Sequence, residues 1–422
     1  MTKRLIYREI LPTLCWASFV HLLIAVAAAA IPEMGDLGIF KLWANQAYDK
    51  GIHQAFTDPE FQYDWLPLYL YVSKFIGAVF DLSGLRDHLG YWSRGLSLLL
   101  KSTMIVFHII TAYILYVVCR AIGQDAARAK LCCQLFAWNP GLLVATGLYG
   151  YQDAFHTVLV VGALLCLLVD KRRLTYVMCA LVALTKPQAV IYLAPFACFG
   201  IRKHGFRWVL RAIPWGVAVC ILVLLPFWAY GTAHSVFNMY FGVTNVHEWL
   251  TGCAHNIWWL VSPAPPFESD RLPLLFGLRG IDLGLIMFGL LVLGLGWRLY
   301  HSPTETTLFE SCALLGFGFF MVVTEIHENH HYAVFGLLAP VAVMRLSLRW
   351  VYAILSITFV VNLVTTKWLL ETGEILQFAF VRFETVNAMM NVIVFIVWGW
   401  LFFKQRLDCN NDDSGKAWDH SL

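Results

Sequence analysis

Two carboxylates stand at the edges of strongly apolar stretches, Asp36 in Pro32-Glu33-Met34-Gly35-Asp36 and Asp64 in Tyr63-Asp64-Trp65-Leu66-Pro67-Leu68-Tyr69. A carboxylate so placed can accept the proton of an attacking hydroxyl. Gly35 allows a turn that aims Asp36 back toward the apolar run before it. The competing reading is structural, because Asp ahead of a helix-like run is an ordinary N-cap. Asp64 has the same two readings, with Pro67 opening the helix that follows. A third polar group, Tyr149-Gly150-Tyr151-Gln152-Asp153, separates two apolar runs just after the helix-breaking Asn139-Pro140.

Lys186-Pro187-Gln188 is a sharper signal, because Ala183-Leu184-Thr185 and Ala189-Val190-Ile191 leave the lysine without a local counter-ion. Either it snorkels to a surface as an anchor, or it needs an anion such as a phosphate. The last run is Glu325-Ile326-His327-Glu328-Asn329-His330-His331-Tyr332. Read literally, it contains H-E-x-x-H, which on an α-helix puts His327 and His331 on one face as zinc ligands with Glu328 as base. An intramembrane metalloprotease is therefore an alternative. It would need a third ligand, and every aspartate after His331 lies in the C-terminal tail.

The elements that position these groups follow from composition. The 422 residues are 59% hydrophobic and 14% charged, with a mean hydropathy of +0.66. Ordinary globular chains are about 25% charged, so most of this exterior must face hydrocarbon. Composition thus rules out a soluble enzyme, a nucleic-acid binder and a disordered chain. Twelve apolar stretches are candidate membrane spans, near 10–31, 98–119, 131–148, 154–169, 174–186, 187–200, 208–230, 280–297, 307–326, 332–344, 350–366 and 385–403. They are apolar on all sides rather than alternating, which favours helices over a barrel. The expectation is one all-α polytopic domain over residues 1–406 with a short tail at 407–422. Residues 32–97 form a long outer loop whose Trp- and Tyr-rich segments suit helices lying along the interface.

Lys and Arg concentrate in alternate connections, with Lys171, Arg172, Arg173, Arg202, Lys203 and Arg207 among them, and Arg271, Arg279, Lys367 and Arg382 on the other side. This positive-inside pattern puts both termini in the cytoplasm. Lys3, Arg4 and Arg8 ahead of an apolar run ending in Ala27–Ala30 resemble a signal peptide, but the run is long for one. The eleven cysteines form no C-x-x-C pair and read as small apolar fillers.

Taken in order, these motifs resemble the GT-C superfamily of membrane glycosyltransferases, which use lipid-phosphate-linked sugars. Gly35-Asp36 with Trp43 is similar to the family's first outer loop, and Asp64-Trp65-Leu66-Pro67-Leu68-Tyr69 to its Asp-Tyr-Pro-Pro-Leu stretch. Gly150-Tyr151-Gln152-Asp153 resembles Trp-Gly-Gln-x-Asp. Thr185-Lys186-Pro187-Gln188 agrees with Thr-Lys-Pro-Gln, and Asn256-Ile257-Trp258-Trp259-Leu260 with Asn-x-Trp-Trp-Leu. His327-Glu328-Asn329-His330-His331-Tyr332 is similar to a His-Glu-Arg-Tyr motif, with Asn329 in place of Arg.

The resemblance implies an inverting transfer of a hexose, mannose favoured, from a polyprenyl-phosphate sugar to a glycolipid or glycan acceptor at the outer face. Asp36 would be the base. Lys186 with His327 or His330 would hold the phosphate, and Asp64, Gln152 and Asp153 the sugar, with Gln188, Asn256 and Glu328 completing the binding set. A lipid phosphate leaves readily, so neither metal nor cofactor is expected. A prokaryotic inner membrane is favoured over the endoplasmic reticulum. The alternative from another class is a multi-pass transporter or lipid flippase, although no internal repeat of the kind such proteins carry is visible.

Overall fold

The computed structural model describes residues 3–29, 36–90, 93–242, 247–262, 265–378 and 381–405. The tail expected at 407–422, and Gly35 beside Asp36, lie outside them. The chain is all-α and polytopic, and among the described residues strands are confined to two short antiparallel pairs, Pro273–Leu275 with Leu278–Arg279 and Gln377–Phe378 with Val381–Arg382.

The helices in order are α1 (Lys3–Ala28), α2 (Leu37–Asp49), α3 (Leu68–Leu82), α4 (Leu85–Leu89), α5 (Arg94–Ala121), α6 (Ala126–Ala137) and α7 (Pro140–Leu143), which runs into a π-helical turn, Val144–Tyr149. Then come α8 (Asp153–Leu168), α9 (Arg172–Ala183), α10 (Leu193–His204), α11 (Phe206–Leu210), α12 (Ile213–Ala229), α13 (Ala233–Gly242), α14 (Ile257–Val261) and α15 (Gly280–His301). The last are α16 (Glu305–Val322), α17 (Tyr332–Met344), α18 (Arg349–Thr372) and α19 (Phe383–Lys404).

Each of the twelve apolar stretches contains a helix, but not all of these helices are long. Among the described residues, seven helices are long and apolar enough to cross a membrane unaided, or eight with the bent pair Ala126–Ala137 and Pro140–Tyr149. The bend of 44° sits where Asn139 caps α7, its Oδ1 accepting from Leu142 N at 3.2 Å, and where Pro140 cannot continue the hydrogen-bond ladder. The helices α8, α9, α10 and α17 have 16, 12, 12 and 13 residues. An interior helix need not match hydrocarbon thickness, because its neighbours shield its ends.

Burial explains which helices are central. Every residue of α17 from Tyr332 to Val343 is buried, as expected of a helix that is apolar all round inside a protein. The equally apolar α12 and α15 instead leave Leu222, Leu225, Leu290 and Leu293 exposed, where lipid replaces protein as the apolar partner.

Candidate functional site

Loops at one end of the bundle fold onto each other through backbone pairing. The segment after Asp64 docks on the segment before Lys186, with Leu66 N donating to Thr185 O at 3.2 Å and Leu68 N to Leu184 O at 2.9 Å. On the other side, Gly252 N donates to Ile326 O at 2.9 Å and Glu325 N to Trp249 O at 2.8 Å. The approach is close there, since a Cβ on Gly252 would stand 3.0 Å from the His327 ring. The motifs spread over 300 residues thereby meet around one cavity of about 430 Å³.

Asp36, Asp64, Lys186, Gln188, His327 and His330 all line this cavity. Neither carboxylate is a cap. Asp36 stands at the N-cap position of α2 but makes no side-chain cap hydrogen bond. Helix α3 starts only after Pro67, again with no side-chain cap. Burial pushes the Asp64 carboxyl up to about 6, with the nearby Asp36 charge adding to the rise and Lys186 opposing it; its Oδ1 is buried with no hydrogen-bond partner.

Lys186 is held in place rather than snorkelling. Its Nζ donates to Asp153 Oδ1 at 2.9 Å and lies 4.1 Å from the centre of the Trp65 ring, an attractive cation–π placement. The counter-ion missing from the local sequence comes from the start of α8. Asp153 is fully buried and does not line the cavity. Its second oxygen accepts from Asn329 Nδ2 at 2.9 Å, so Asn329 orients the partner of Lys186.

Gln152, Asn256 and Glu328 also lie behind the lining. Gln152 accepts from the Tyr69 hydroxyl and donates to Gly150 O at 2.7 Å. Asn256 caps α14 by accepting from Trp258 N and Trp259 N at 3.0 and 3.3 Å, and donates to Phe320 O at 3.0 Å. Both amides are therefore occupied as supports. Glu328 accepts from the Tyr151 hydroxyl, and burial raises its pKa while Lys367 opposes the rise. Lys367 sits within α18 rather than in an outer connection, its Nζ 5.3 and 5.5 Å from the centres of the Tyr149 and Tyr151 rings.

Gly150 closes the turn before α8. Its φ is +72°, and a Cβ there would stand 2.9 Å from Lys101 Cγ, so both conformation and space require glycine.

The H-E-x-x-H run is not on an α-helix. Glu328–His331 is a 3-10 turn, and at three residues per turn i and i+4 point about 120° apart. His327 faces the cavity. His331 is buried against Phe317 and Phe320, with ring centres 5.1 and 4.8 Å apart. Among the described residues no three His, Cys, Asp or Glu side chains gather as a metal-binding set. Burial lowers the pKa of both His327 and His330; at neutral pH they act as neutral hydrogen-bonding rings, and Lys186 is the cavity's cation.

Four polar lining residues lie outside the site expected from the sequence, namely His247, Thr324, Glu325 and Asn329. Glu325, at φ +63°, is pushed up to about 7 by burial and the nearby Asp270 charge. His247 packs against the His327 ring at 5.4 Å. Glu325 was visible as part of an acidic and histidine-rich run, whereas nothing local marked His247. Apart from Thr324 and Asn329, the rest of the lining is apolar, with Ile281, Leu285 and Phe288 from α15, and Phe319 at the end of α16. Leu285 is also half exposed on the outer surface of α15, so the cavity's apolar wall reaches the face turned toward lipid.

No family model matches the chain, and neither does any curated protein.

Proposed function

We propose that the protein is an inverting glycosyltransferase that moves a hexose, mannose favoured, from a polyprenyl-phosphate sugar to a glycolipid or glycan acceptor. The observation that carries this reading is the division of the cavity lining. Loop-borne Asp36, Asp64, Lys186 and His330 share one cavity with the apolar faces of α15 and α16. An amphiphile with a charged head and a long apolar tail fits such a lining. The motif resemblance to the GT-C superfamily supports the same choice.

The acceptor hydroxyl attacks the anomeric carbon as Asp36 takes its proton. Asp36 is the exposed carboxylate of the cavity, so an acceptor arriving from water or from the lipid surface meets it first. The C–O bond to phosphate breaks in the same displacement, and the phosphate leaves with the electron pair. Lys186 stabilises the charge developing there, and His327 and His330 donate neutral hydrogen bonds. Asp64 holds sugar hydroxyls, while Asp153 and Asn329 keep the lysine aimed. Twelve crossings, interfacial helices in the first outer loop, cytoplasmic termini and a prokaryotic inner membrane belong to this same reading.

The test is a transfer assay on purified protein in detergent. Radiolabelled polyprenyl-phosphate mannose and glucose are offered to a crude lipid extract, with Asp36→Asn beside the wild type. Label passing to a new product in the wild type alone supports both class and base. Uptake of a substrate into vesicles without any sugar transfer would favour the transporter instead.

A further inference from the structure

We propose that the opposite end of the bundle binds the phosphate of an anionic phospholipid through Lys171, Arg172 and Arg173. Helix α8 starts at Asp153 behind the cavity and ends at Leu168. Its 16 residues put the following turn about 24 Å away at 1.5 Å per residue. There a separate cavity of about 490 Å³ is lined by Asp170, Lys171, Arg172, Arg173, Leu174 and Trp208. It is independent of the proposed reaction.

Three features point to a bound anion. First, the only acid in the lining is already engaged: Asp170 Oδ1 accepts from Trp208 Nε1 at 2.8 Å and lies 3.7 Å from His204 Nδ1. Second, none of the three cations pairs with a carboxylate among the described residues, and Arg172 Nε is buried without a hydrogen-bond partner. Third, these cations open α9, which has no acidic residue in its first turn. A helix N-terminus carries partial positive charge and favours anions, so an N-terminal basic run is unfavourable until an anion sits among it.

The surroundings say which anion source fits. Leu174, Phe206 and Trp215 are exposed near this turn, and Arg173 lies 5.0 Å from the centre of the Trp215 ring. A headgroup phosphate can sit among the guanidinium groups, which match its geometry bidentately, while its acyl chains follow the exposed apolar residues. Basic clusters at a membrane boundary attract anionic lipid in this way.

The experiment is native mass spectrometry of the full chain in neutral detergent, titrated with phosphatidylglycerol, phosphatidylcholine or inorganic phosphate. Phosphatidylglycerol is expected to be retained in preference to phosphatidylcholine. The Arg172→Gln/Arg173→Gln double variant should weaken that retention roughly twenty-fivefold, at about fivefold per basic residue. Unchanged affinity in that variant, or equal retention of the two lipids, overturns the proposal. Displacement of phosphatidylglycerol by inorganic phosphate at equal concentration would overturn the lipid as the source. Should the double variant not fold, Lys171→Gln, at an exposed position, should still weaken retention about fivefold; no change there also overturns it.

Discussion

At the cavity end, Lys186 is paired with Asp153, 33 residues away, and Asp153 with Asn329, 176 residues away. At the opposite end, Lys171, Arg172 and Arg173 are neighbours in sequence, and none of them forms an ion pair with a carboxylate among the described residues; Asp170 beside them is engaged by Trp208. Both ends carry cations on a chain that is otherwise apolar. Only the first buries its cation whole, whereas Lys171 and Arg173 are exposed and Arg172 is partly so; a buried charge without a partner is far more costly than one in contact with water. The difference teaches where in the chain to look for each kind of group. A buried charge recruits its partner from wherever the fold brings one, whereas a surface cluster is written as a contiguous run.

The largest effect expected from testing this contrast is on transfer itself. Asp36→Asn should lower turnover by about 10²- to 10⁴-fold, the range for removing a general base, with the protein still folded by size-exclusion chromatography. Near-normal turnover would take Asp36 out of that role. Next comes the buried pair. Asp153→Asn leaves Lys186 buried without its counter-charge and should destabilise the protein by about 3–5 kcal/mol, read by thermal unfolding in detergent. Lys186→Met in the same chain should recover part of that loss, and a double variant no more stable than the single one would deny the coupling.

Gly150→Ala should cost about 1–3 kcal/mol of stability, because alanine must adopt a positive φ and press on Lys101. A wild-type unfolding temperature would show that the turn tolerates a side chain.

The pH dependence is a smaller and more specific effect. Asp64 titrates near 6 when folded, above its ordinary 3.8. The folded state therefore binds its proton more tightly, so this group's contribution to stability declines as pH rises from about 4 to 6. Under the proposed function, binding runs the other way, because the ionised carboxylate accepts hydrogen bonds from sugar hydroxyls more strongly than the protonated one. Donor KM should rise as pH falls through about 6, and Asp64→Asn should flatten both trends. An unchanged stability profile in that variant would assign the trend to another group. The smallest effect belongs to the far end. Lys171→Gln in lipid-free detergent should change stability by no more than about 0.5 kcal/mol, and a large loss would show that this run supports the fold as well as facing outward.

Several features were legible in the residues themselves. Composition and unbroken apolar runs specified an all-α membrane protein, and each of the twelve stretches contains a helix, because hydrophobic length and helix-breaking residues act locally. Asp36, Asp64, Lys186, Gln188, His327 and His330 could be picked out as polar groups in apolar surroundings, and the fold gathers all six around one cavity. The number of helices able to cross alone was not legible, since whether a 13-residue helix such as α17 meets lipid depends on its neighbours.

Tertiary structure alone decided the division of labour within the site. It withdrew Gln152, Asp153, Asn256 and Glu328 behind the lining, brought Glu325 and His247 into it, and turned His331 away from His327 by winding Glu328–His331 as a 3-10 turn. The physical reason is common to all of these. Side-chain type and spacing along the chain settle what a residue can do, but many of the hydrogen-bond partners and most of the burial come from segments distant in the sequence, and those determine whether it faces a substrate or holds its neighbour in place.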